Sequence, residues 1–123
     1  QVAHALTRLA SQAAEVRQLI EPLIADLARQ AIVRREPGLV ELDPASLAAQ
    51  PRYLVCELLT ATWRELDWPA QGMTTEHWRE LAGIVASVPA DAATRFRTTD
   101  FPGGIAVRCA PGGRLTLERR TGR

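Results

Sequence analysis

The apolar residues of this chain change their period once, and that change restricts the fold more than any other feature. They fall first at Val2, Leu6, Leu9, Ala13, Val16, Ile20, Leu23 and Leu27, in alternating steps of four and three. A heptad seam of this kind predicts one long helix over residues 2–31, with Pro22 removing a single backbone hydrogen bond inside it and kinking it. Beyond Ala93 the spacing becomes two. Arg95-Phe96-Arg97, Ile105-Ala106-Val107-Arg108-Cys109 and Leu115-Thr116-Leu117-Glu118 alternate as short strands, joined by turns at Gly103-Gly104 and Gly112-Gly113. Helices first and strands last make an α+β domain rather than a βαβ repeat.

The middle of the chain is punctuated by prolines and glycines. Pro37-Gly38 is a turn, and Leu39-Val40-Glu41-Leu42 reads as one short strand after it. Asp43 is placed to cap a one-turn helix that opens with Pro44, and Pro51 opens a second main helix reaching Leu66. The apolar stripe of that helix is Leu54, Val55, Leu58, Leu59, Thr62 and Leu66. After the breaker Trp68-Pro69-Ala70-Gln71-Gly72, Thr74 or Thr75 caps a third helix with the stripe Trp78, Leu81, Ala82 and Val85, ended by Pro89. The expected organisation is a long linking helix, residues 1–31, packed on a small α+β domain of residues 32–123 that ends in a three-stranded antiparallel meander. At 123 residues and 46% apolar content the chain suits a single core.

Charge is distributed unevenly over this pattern. The net charge is +1, yet residues 95–123 hold seven arginines against two acids, whereas the preceding residues hold eight basic residues against twelve acids. In the strands the alternation sends Phe96, Ile105, Val107, Cys109, Leu115 and Leu117 to one face. Arg95, Arg97, Arg108, Arg114 and Arg120 go to the other, which predicts a basic sheet face suited to a polyanion such as nucleic acid. Arg119 falls on the apolar side at a strand end, where its head can reach water. All the cations are arginine, the residue whose planar fork suits phosphate, although a GC-rich genome is the simpler account of that preference.

Other chemistries find little support. The two Pro-Gly-Gly segments lie between strands and lack the following helix, Lys and Ser/Thr of a phosphate loop, so they read as turns. His4 and His77 have no Cys or His at metal-ligand spacing. Ser11, Ser46 and Ser87 lie in no nucleophile motif, and the scattered glutamates suit solvated helix faces. Trp63, Trp68 and Trp78 fit core positions better than base-stacking platforms. Cys56 and Cys109 lack CxxC spacing, which suits a reduced pair and a cytoplasmic protein, and no apolar run reaches the length of a membrane span. The opening Gln-Val-Ala-His lacks both Met and a leader pattern, as expected of a piece of a longer protein.

The order and spacing of several segments resemble a known family. They are Val2 to Glu15, the helix from Arg52 to Leu66, Gly72-Met73-Thr74-Thr75-Glu76-His77-Trp78, Phe101-Pro102-Gly103-Gly104-Ile105-Ala106-Val107-Arg108, and Gly113 to Arg119. Together they look like the part of the tRNA(Ile)-lysidine synthetases that follows the catalytic domain. The resemblance implies a linking helix and a substrate-recognition domain, with tRNA and the enzyme's own N-terminal PP-loop domain as partners. It further implies a parent ligase that uses ATP, with Mg2+, to adenylate the wobble cytidine before lysine displaces AMP. The PP-loop Ser-Gly-Gly-x-Asp-Ser does not occur in this sequence, so no cofactor and no chemistry are expected of this segment itself. A structural or dimerisation module, with the heptad helix forming a homodimer, is the competing expectation.

Overall fold

The computed structural model describes residues 2–86, 98–109 and 113–120. Helix α1 spans Val2–Ala31 and contains Pro22, as the heptad seam requires. It is followed by strands β1 (Ile32–Glu36) and β2 (Leu39–Leu42), the one-turn helix α2 (Pro44–Ala48), and helices α3 (Arg52–Glu65) and α4 (Thr75–Val85). The chain then forms β3 (Thr98–Phe101), β4 (Ile105–Cys109) and β5 (Leu115–Arg119). The fold is α+β, and its C-terminal meander is part of a larger antiparallel sheet ordered β1-β2-β5-β4-β3.

Two strands differ from the sequence expectation. Ile32–Glu36 is paired with β2, although Ile-Val-Arg-Arg-Glu shows no alternation. The cause is a bulge: Ile32 faces Leu42 but Arg34 faces Glu41, so Val33 is the extra residue. In the meander, the first described strand is Thr98–Phe101, where none was expected; the expected Arg95-Phe96-Arg97 lies outside the described residues. The strand limits at 105–109 and 115–119 agree closely with the alternation.

One sheet face packs on the helices through Val40, Leu42, Phe101, Ile105, Val107, Leu115 and Leu117, all buried. Opposite them lie Val55, Leu58, Leu59, Thr62 and Trp63 of α3 and Leu81, Ala82 and Val85 of α4. Trp63 makes edge-on contacts with Trp68 and Trp78, with ring centroids 5.0 and 5.1 Å apart. The Trp68 indole N–H donates to the Pro37 carbonyl at 2.9 Å, tying the α3 end to the β1–β2 turn. The β3–β4 turn is locked against the same loop: Gly103, at φ +90°, lies where a Cβ would come within 2.7 Å of Pro69.

Helix α1 is only partly covered. Leu27 and Ala31 are buried and Ile24 and Ala28 pack beside them, whereas every residue from Ala10 to Leu19 is exposed. Of the seam residues whose side chains are described, only Leu27 is buried. Val16, Leu19 and Leu23 remain 51%, 72% and 51% accessible.

Candidate nucleic-acid interface

The sheet face turned away from the helices carries Arg108 of β4, with Arg114 and Arg120 at the ends of β5, and strand register fixes their neighbours. In one cross-strand row Arg34, Glu41, Thr116 and Arg108 follow one another over β1, β2, β5 and β4. In the adjoining row of the same face stand Glu36, Leu39, Glu118, Ala106 and Asp100. Arg114 precedes β5 in phase with Thr116, and Arg120 follows it in phase with Glu118. The described part of the face is thus banded: arginines at either end and three carboxylates between them.

Each band reaches into the acidic row. Arg108 Nη2 donates to Glu118 Oε1 at 2.7 Å. Arg120 Nη1 approaches Asp100 Oδ1 at 3.6 Å, and Arg34 Nε donates to Glu36 Oε2 at 2.8 Å. Ala106, flanked across the strands by Glu118 and Asp100, is buried between them. Arg114 is exposed and makes no ion pair with any described residue.

Of the five arginines expected at the interface, Arg95 and Arg97 lie outside the described residues. Arg108 and Arg114 occupy the same end of the sheet. Arg120 stands at the other end, six residues from Arg114 along the chain, about 20 Å at strand rise. The described face carries four arginines, Arg34, Arg108, Arg114 and Arg120, and four acids, Glu36, Glu41, Asp100 and Glu118. It is a charge-balanced surface rather than a uniformly basic one, with Glu41 standing in the arginine row and the other three acids in the row beside it. The period-two pattern already placed Glu118 in phase with Arg114 and Arg120. What it did not contain was the pairing that brings Glu36, Glu41 and Asp100 alongside.

No protein-family model and no curated protein matches this chain.

A groove of about 380 Å³ opens elsewhere, between α1, α3 and β1, floored by Ile24, Ala28, Ile32 and Leu58. Its rim holds Arg17 3.9 Å from Glu57, and Arg35 hydrogen-bonded to Glu65. Burial is the largest influence on the Cys56 thiol and pushes it up. Glu57 adds to this, and Arg52 and Arg79 oppose it. His77 is engaged at the start of α4 rather than simply solvated: its Nδ1 lies 3.0 Å from the Thr74 nitrogen. Among the described residues, no cluster of three His, Cys, Asp or Glu could hold a metal ion. None of their helices is long and apolar enough to cross a membrane.

Proposed function

We propose that this chain is the substrate-recognition part of a tRNA(Ile)-lysidine synthetase, holding tRNA while an N-terminal PP-loop domain ligates lysine to the wobble cytidine. The element order supports this reading: a long helix, then a small α+β domain closed by a Gly-turned meander. The observation that carries it is the pair Arg108 and Arg114, exposed at one end of the same sheet face, Arg114 without a carboxylate partner among the described residues. Guanidinium groups so placed engage phosphate oxygens, which position an RNA without reading its bases. Recognition of the isoleucine tRNA then rests on its shape and on the partner domain.

The test is the affinity of Arg108→Gln, Arg114→Gln and the double variant for an isoleucine tRNA transcript over a salt series. Each lost phosphate contact lowers the log-log salt slope by about 0.7 on looped or single-stranded RNA. Unchanged affinity and slope in the double variant refute these contacts.

A second reading, a structural or dimerisation module without an RNA role, is favoured by the uncovered Val16, Leu19 and Leu23. Sedimentation separates the two readings, because a chain that stays monomeric at high concentration is not a helix-paired dimer.

A further inference from the structure

We propose that Glu118 and Asp100 are resident competitors for RNA phosphate: each holds an arginine of the sheet face in the place a phosphate would take, and so sets a threshold for binding. This rests on the RNA reading above. Arg108 and Arg120 approach the acidic row from opposite sides. Arg108 crosses from the row of Thr116 to Glu118, and Arg120 reaches from beyond the strand end to Asp100. A guanidinium offers the same N–H donors to a carboxylate and to a phosphate, and Arg108 already gives one of its own to Glu118. The exchange is local, with a carboxylate leaving the guanidinium as a phosphate oxygen arrives.

Magnitudes decide whether these pairs hold the fold together or gate the surface. The side chains of Arg108 and Glu118 are 52% and 40% accessible, and those of Arg120 and Asp100 56% and 69%. Ion pairs this exposed add little to stability and open readily. Their effect on a competing polyanion is different, because a phosphate arriving at Arg108 meets a guanidinium already donating to Glu118, and one arriving at Arg120 meets a charge with Asp100 3.6 Å away. Arg114 has no such competitor among the described residues and accepts the first phosphate. Weak, non-specific single strands then engage Arg114 and stop. An RNA whose shape presents phosphates to both ends of the sheet gains enough contacts to displace Glu118 and Asp100. The carboxylates act as specificity-determining residues for RNA, at little cost in stability.

The experiment measures binding of the isoleucine tRNA transcript and of poly(U) by the whole chain, Glu118→Gln, Asp100→Asn, Glu118→Gln in an Arg108→Gln background, and Glu41→Gln. Glu41 lies on the same face without an ion pair among the described residues, so its variant has the same charge change and frees no arginine. At low salt, Glu118→Gln and Asp100→Asn are expected to bind about three- to fivefold more tightly, an amount consistent with an exposed pair. Poly(U) should gain more than tRNA. The gain from Glu118→Gln should disappear when Arg108 is also replaced, and Glu41→Gln should give less than half of it. Equal gains from Glu41→Gln and Glu118→Gln, or a gain that persists without Arg108, overturn the inference and leave the RNA reading standing. No RNA binding by any of the proteins refutes the RNA reading itself and the inference with it.

Discussion

The imidazole of His77 accepts the backbone N–H of Thr74 at 3.0 Å, while the Thr74 hydroxyl accepts the N–H of His77 at 3.2 Å. This is a capping box with histidine in the position usually filled by Glu or Gln, and it satisfies two donors at the start of α4. The same ring stands edge-on to Phe101, 6.3 Å between centroids, so the cap also docks α4 on β3. His77→Ala should cost about 1 kcal/mol in urea unfolding. Thr74→Ala should cost a similar amount. His77→Gln keeps the reciprocal bond and should recover at least half of that loss, an outcome that separates capping from ring packing.

Asp67 closes α3 with φ at +57°, a left-handed conformation that lets the Trp68 N–H reach the Trp63 carbonyl at 2.9 Å. Glycine adopts this geometry without steric strain. Asp67→Gly should therefore raise the unfolding free energy by up to about 1 kcal/mol, and Asp67→Val should lower it. Thermal melts of the two variants check the sign.

Burial pushes the Cys56 thiol up, which reduces its thiolate fraction at any given pH. Alkylation of Cys56 by iodoacetamide at pH 8 should be slower in the native protein than in urea. The native rate should rise steeply only above the ordinary thiol range. Peptide mapping is needed to separate Cys56 from Cys109. A native rate equal to the rate in urea would contradict the assigned direction.

Helix α1 supplies a contrast between two of its leucines. Leu27, in the seam, is 3% accessible, whereas Leu19, next to the seam position Ile20, is 72% accessible. Leu27→Ala should cost about 2–5 kcal/mol, the range for a buried leucine. Leu19→Gln should change the stability of the monomer by less than about 0.5 kcal/mol. A larger loss at Leu19, dependent on protein concentration, would instead show pairing between copies.

Much of the architecture was legible because one periodicity dominated each segment. The cap Asp43 and most of the α3 stripe followed from residue type and spacing, and of the two candidates Thr74 and Thr75 the cap of α4 is Thr74. Strand β1 was not legible, because its bulge at Val33 puts Ile32 and Arg35, three positions apart, on the same face and breaks the period of two. Without that extra residue Arg35 would not face α3, where Glu65 meets it. The uncovered length of α1 was invisible for a different reason: a heptad records that a face is apolar, not what covers it. Alternation placed Arg108 on the outer face, but its counter-charges depend on register between strands distant in sequence, and Asp100 and Glu36 join that face only through the folded sheet.

The anchoring of α1 by its final third gives the molecule a lever. From Leu27 back to the exposed Arg8 is nineteen residues, about 28 Å at the helical rise. A rotation of about 10° at the seat formed by Leu27 and Ala31 carries the far tip through about 5 Å over that length. Small rearrangements around two buried side chains are thereby magnified into displacements on the scale of a whole helical turn.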